Sequence, residues 1–215
     1  EHEIVSFIRD NFYTLRPFIK KIEHRGTHEC GGSLKLYIEP IVPREQLYII
    51  GAGHCGRALA KLARWVNFKV ILIDNRQEAL NHAQGLADEY LLSADYDDLR
   101  DLIKGDGVYI SVMTPGHIWD EKVVEQCLEL NWKYLGLMGS PKKVADVMNS
   151  LRKRGWSEEI LQKISAPIGL DIGSHTPEEI AVSVTAELIR VRNIGERGLN
   201  IGEDKGYYSS STRRA

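Results

Sequence analysis

Leu47-Tyr48-Ile49-Ile50-Gly51-Ala52-Gly53-His54-Cys55-Gly56-Arg57-Ala58-Leu59-Ala60 decides the fold. Leu47–Ile50 reads as a strand, and a helix is expected from about His54 to Trp65. The residues between them fit G-x-G-x-x-G. That pattern is weak alone, but here a strand precedes it, a helix follows it, and Asp74 ends the next strand, Lys69–Ile73. Gly51 permits the tight turn, Gly53 lets backbone amides approach a diphosphate, and Gly56 lets the helix pack closely on the strand. The helix start then offers free N–H groups and partial positive charge to an anion. The alternative is that Gly51 and Gly56 only build the turn. Asp74 is expected to accept hydrogen bonds from ribose hydroxyls. That would favour NAD, FAD or another adenosine group over NADP, and Arg76 nearby softens the preference.

Outward from this stretch, apolar runs alternate with helical patterns. Tyr90–Leu92, Val108–Met113 and Tyr134–Met138 are the remaining expected strands. Helices are expected at Arg76–Ala83, Asp97–Ile103, Glu121–Leu130 with Asp120 as N-cap, and around Ile160-Leu161. Ser140-Pro141 opens another helix that Gly155 closes, and Thr176-Pro177-Glu178-Glu179 is a capping box for a last helix running to about Arg192. Strands spaced by helices predict an α/β fold, a Rossmann-like doubly wound parallel sheet. Residues 45–194 form this expected domain. Residues 1–44 read as a short α+β arm: an amphipathic helix marked by Ile4, Val5, Ile8 and Phe12, then strands Phe18–His24 and Ser33–Ile41. An arm this short is expected to dock on the rest of the chain or on a second subunit. Residues 195–215, rich in Gly, Ser and charge, read as a mobile tail.

The composition excludes several classes. A chain of 215 residues with 28 Lys+Arg against 30 Asp+Glu carries a formal charge of −2, so it lacks the basic footprint of sequence-tolerant nucleic-acid binding. No apolar run approaches the roughly 18 residues of a membrane span. Three cysteines are an odd count and too few for a disulfide framework, which suits a reducing compartment.

The polar candidates cluster after strands. Thr114, His117 and Asp120 follow the fourth strand of the domain, at the carboxyl end beside the first strand, where open parallel sheets bind ligands. Ser140, Lys142 and Lys143 follow the fifth, as a phosphate contact or an ordinary capped helix start. His54 faces a ligand or bonds locally, and Arg57 pairs with a phosphate or stays solvated. The Gly169–Gly173 loop, with Asp171 and nearby His175, is expected to be buried and shaped, lining the site. Cys30, in the Cys30-Gly31-Gly32 turn, is either a functional thiol or an inert small residue. Cys55 is expected to pack against the sheet, and Cys127 to be buried on an apolar helix face. Spacing supports no Ser-His-Asp arrangement, paired carboxylates or metal-ligand set, so no catalytic or metal-ligating residue is assigned.

Five segments in order carry a resemblance. They are Cys30-Gly31-Gly32 leading to Ile38-Glu39-Pro40; Gly51–Ala60; Met113-Thr114 with Gly116-His117 and Asp120; Gly136-Leu137-Met138-Gly139-Ser140 with Lys143; and Pro167-Ile168-Gly169-Leu170-Asp171-Ile172-Gly173 with Thr176-Pro177-Glu178-Glu179-Ile180-Ala181. Together they resemble the xanthine dehydrogenase accessory protein family, XdhC/CoxI, over about Cys30 to Arg192. The resemblance implies a cytoplasmic, usually dimeric accessory chaperone that binds molybdenum cofactor, as molybdopterin or its dinucleotide form. It also implies help with sulfuration, alongside a sulfurtransferase, and insertion into a molybdenum hydroxylase apoenzyme. It implies that Gly51, Gly53, His54, Gly56, Arg57, Asp74, Thr114, His117, Ser140, Lys143 and Cys30 handle the cofactor, with Cys30 towards the molybdenum or a transferred sulfur. Family members carry a longer Gly/Ser-rich segment before the C-G-G motif than Glu1–Glu29. The glycine pattern also admits NAD. It therefore leaves open an NAD-dependent oxidoreductase, with His117 as the nameable proton donor, and a nucleotide-sensing regulatory module.

Overall fold

The computed structural model describes residues 5–6, 8–9, 18–23, 33–39, 41 and 43–194. The chain divides into two compact units, Glu1–Arg44 and Glu45–Ala215. In the first, β1 (Phe18–Glu23) pairs antiparallel with β2 (Ser33–Ile38), with Phe18 opposite Ile38 and Glu23 opposite Ser33. Residues 5–6 and 8–9 are helical. The rest of the expected first helix, the turn carrying Cys30 and the expected tail lie outside the described residues.

The second unit holds β3 (Gln46–Ile50), α1 (His54–Trp65), β4 (Lys69–Asp74), α2 (Gln77–His82), β5 (Glu89–Leu92), α3 (Leu99–Leu102) and β6 (Val108–Val112). It continues with α4 (His117–Leu128), β7 (Trp132–Leu137), α5 (Pro141–Lys153), α6 (Glu158–Leu161) and α7 (Pro177–Ile194). The five strands lie in the order β5-β4-β3-β6-β7, all parallel. The order reverses between β3 and β6, and open parallel sheets bind ligands outside the strands' carboxyl ends at such a switch point.

The sheet is covered on both faces, which is why its strands are apolar without alternation. Ile50, Ile71, Ile73, Ile110, Val112, Leu135 and Leu137 pack with residues of α3, α4 and α5. Leu47, Ile49, Val70, Leu72 and Tyr109 pack with residues of α1 and α7. Burying each Leu, Ile or Val side chain contributes about 1.5–3 kcal/mol. α1 buries Gly56, Leu59, Ala60 and Ala63, of which the glycine and the two alanines let it approach its neighbours closely.

Two helix starts follow the expected chemistry. Ser140 accepts a hydrogen bond from the Lys143 amide at 3.3 Å, with Pro141 at the first helical position. Thr176 and Glu179 bond each other's amides reciprocally, at 3.2 and 3.0 Å. A third start differs. α4 begins at His117 rather than Glu121, because Gly116, at φ +93°, turns the chain into the helix directly after the Thr114-Pro115 exit from β6. Asp120 is therefore not an N-cap. It lies in the first turn, fully buried.

The Gly169–Gly173 loop also departs from expectation. Ile168 is buried and Gly169 and Leu170 are half-buried, but Asp171, Ile172 and Gly173 are exposed. The buried half continues a stretch that runs along β7, where Ser165, Leu137 and Ile168 exchange backbone bonds of 2.9–3.0 Å. A buried carboxylate of α7 holds that stretch. Glu187 accepts from the Tyr134 hydroxyl at 2.5 Å, the Ser165 hydroxyl at 2.7 Å and the Gly169 amide at 2.8 Å. Burial and the adjoining Glu187 charge push the Tyr134 phenol well up, so it stays a donor. Glu187→Ala leaves the buried Tyr134 hydroxyl and the half-buried Ser165 and Gly169 donors without this acceptor and is expected to lower the unfolding free energy by about 3 kcal/mol, with Glu187→Gln losing less. Urea denaturation reads this, and an unchanged midpoint would contradict the clamp.

Candidate functional site at the carboxyl edge of the sheet

The turn from β3 into α1 is held from inside the protein. The Gly51 amide donates to Ile73 O at 2.7 Å, and Gly51 has φ +122°. A Cβ on Gly51 would lie 2.1 Å from Met113 O, and one on Gly56 would lie 1.8 Å from Gly51 O. Both glycines are required by the fold's own backbone. Gly53 differs. Its φ of −69° suits any residue, and a Cβ there would meet nothing within 4 Å. The chain makes no demand for glycine at 53, and the absent side chain leaves the approach to α1 open. No side chain caps α1, and its first turn holds no acidic residue. His54 is exposed at the helix start and Arg57 is half-buried.

Asp74 lies behind this turn with no solvent exposure. Its Oδ2 accepts from the Ala52 amide at 2.6 Å and from Arg76 Nη2 at 3.0 Å. Its Oδ1 accepts from the Arg76 amide at 2.8 Å and Arg76 Nε at 2.9 Å. Burial alone would raise its pKa. The Arg76 fork and the two amides outweigh that and hold it below the ordinary carboxylate value. The role expected of Asp74, accepting ribose hydroxyls, requires a free lone pair. A carboxylate has about four lone-pair sites, and all four face protein donors here.

Thr114 and Lys143, far apart in sequence, meet through Asp120. The buried Thr114 hydroxyl donates to Asp120 Oδ1 at 2.5 Å, and the Lys143 ammonium forms an ion pair with Asp120 Oδ2. Lys143 also donates to Met138 O at 3.3 Å. This ties the end of β6, the first turn of α4 and the start of α5 together. Lys143 spends its charge on that latch, whereas Lys142 is exposed. Glu121, Ser140, Lys142, Lys143, Asp146 and Val147 border a cleft of about 460 Å³ beside it. His117 is the first residue of α4.

Among the cysteines, Cys127 is fully buried in α4 and burial pushes its thiol far up. Cys55 packs partly against the core, and burial and then the Glu178 charge raise its thiol, so it stays protonated at neutral pH. Sequence reasoning missed the Arg76 fork, the Asp120 latch and Glu187. For the first, an Arg two residues after a strand-ending Asp was a usable signal. The others had none, because their partners lie on distant elements. Among the described residues no group of three His, Cys, Asp or Glu could hold a metal ion, and no helix is long and apolar enough to cross a membrane.

A parallel sheet in this order, with a glycine-rich turn at the switch point, defines the Rossmann class. A family model for the XdhC Rossmann domain matches residues 47–188, and the chain belongs to that family. It is 33% identical over 175 residues to YqeB, an uncharacterized protein of Escherichia coli, covering 80% of this chain and 32% of that one. It is 28% identical over 158 residues to a probable xanthine dehydrogenase subunit from Bacillus subtilis, covering 73% and 46% respectively. The crystal structure of a xanthine dehydrogenase from Bacillus halodurans matches with a TM-score of 0.61 and 28% identity, over 74% of this chain and 45% of that one. The chain thus spans less than half the length of each of these relatives.

The Asp74 cluster has a pH signature. Its folded pKa lies below the unfolded value, so its stabilisation is present above about pH 4 and is lost as pH falls through the folded pKa. Asp74→Asn is expected to flatten that part of the acid dependence of the melting temperature, and an unchanged slope would contradict it. Gly53→Ala is expected to cost under about 1 kcal/mol, while Gly51→Ala or Gly56→Ala costs about 3 kcal/mol or more. Thermal melts compare the three.

Proposed function

We propose that this chain is a cofactor-binding accessory module that holds molybdenum cofactor through its phosphate at Gly51–Gly56 and assists its loading into a molybdenum hydroxylase. The observation that carries this reading is Gly53. Glycine there serves nothing inside the protein, yet it leaves the uncapped first turn of α1 open to an anion at the switch point. The amides of that turn bind the phosphate, and Arg57 adds charge beside them. The latch of Thr114, Asp120 and Lys143 fixes the neighbouring wall, and Ser140 orients the start of α5. His54, exposed at the start of α1, is assigned to the ligand's head. When bound, the cofactor supplies the dithiolene-held molybdenum that does redox chemistry in the recipient enzyme. Binding and shielding suffice for the accessory role.

The names of two relatives favour a molybdenum hydroxylase of the xanthine dehydrogenase kind as recipient. A sulfurtransferase partner, a homodimer and a cytoplasmic setting belong to the same proposal. The chain mixed with molybdenum cofactor is expected to co-elute with it on gel filtration. Gly53→Val is expected to weaken binding about tenfold or more, the worth of one or two lost amide hydrogen bonds. No co-elution, or unchanged affinity in a folded Gly53→Val, would overturn the reading.

A further inference from the structure

We propose that the edge of the site at the end of β4 reads a phosphorylated ribose rather than a free ribose diol, with Arg76 as the specificity residue. The inference rests on the glycine turn being a phosphate cradle. With a diphosphate on the first turn of a doubly wound sheet, the adjoining ribose lies over the end of the next strand. That strand is β4, and its last residue is Asp74. A carboxylate with a free oxygen there selects a diol. Asp74 has none to offer, because Ala52 and Arg76 between them fill both its oxygens with four hydrogen bonds. Freeing one would break the bond that holds the glycine turn or the fork that compensates a fully buried charge.

The group presented outward is the Arg76 guanidinium, whose side chain is 47% exposed. Its Nε and one Nη2 hydrogen point back to Asp74. Three of its five N–H groups have no acceptor among the described residues. The pair with Asp74 fixes the guanidinium plane before any ligand arrives, so little rotamer entropy remains to be lost on capturing a planar-fork acceptor such as phosphate. Glu78 also acts on Arg76 electrostatically, but it is exposed and screened by solvent. Asp74 thus acts as a positioning residue and Arg76 as the contact.

NAD+ and NADP+ differ by one ribose 2′-phosphate and probe this directly. Calorimetric titration at fixed salt is expected to show NADP+ binding about tenfold tighter than NAD+, the worth of a charge-assisted contact. Arg76→Gln is expected to remove that preference, because NADP+ loses its contact and the Asp74 oxygens that Arg76 filled are released towards the ribose. A thermal melt checks its folding, and the double variant Asp74→Asn/Arg76→Gln, which leaves no buried charge, should also bind both equally. Equal affinities in the wild type, or a preference that survives Arg76→Gln, would overturn the inference while leaving the glycine-turn reading intact. Binding of molybdenum cofactor without either dinucleotide would overturn it in the same way. Binding of none of the three would overturn both.

Discussion

A backbone contact governs the carboxyl edge of this protein. Gly51, leaving β3, presses against Met113 O at the end of β6, and Gly56 in α1 presses back onto Gly51 O. Both approaches are too close for any Cβ. They set the angle at which α1 leaves the sheet and therefore where its open amides point. They also seal the seam between the two strands at which the sheet order reverses.

Around that seam, three buried carboxylates tie loops that would otherwise end freely. Asp74 holds the glycine turn, Asp120 joins the exits of β6 and β7, and Glu187 anchors the stretch beside β7 to α7. Each is surrounded by donors, as a charge withdrawn from water must be. They also share a consequence for ligand recognition. Acidic groups that look available in the sequence are consumed by the scaffold, which leaves the uncapped amides of α1 and a half-exposed arginine at this edge.

Much of the fold was legible from local pattern. Each of the five strands of the sheet is a short apolar run, and the caps at Ser140 and Thr176 rest on residues within one helical turn of each other. Gly51 and Gly56 were legible as a turn and a close contact because the G-x-G-x-x-G spacing encodes both. Asp120 was misread as a cap because the helix boundary depends on the backbone of Gly116. The second half of the Gly169–Gly173 loop was misread as buried because its apolar Ile172 gave no hint that the chain turns out to solvent there. The site residues divided the same way. Thr114 and Lys143 were both picked out, but their meeting through Asp120 joins positions that only the parallel arrangement of β6 and β7 brings together.

By itself, then, the sequence determined the elements, the turn between β3 and α1, and the family, since these depend on neighbours within a turn or a strand. Tertiary structure alone decided what the charged groups do. Whether Asp74 faces a ligand or Ala52, whether Lys143 faces a phosphate or Asp120, and whether Glu187 is solvated or central all depend on partners that the fold delivers from distant elements. A carboxylate's role follows from which donors fill its lone pairs, and those donors are set by packing and not by the residue's place in the chain.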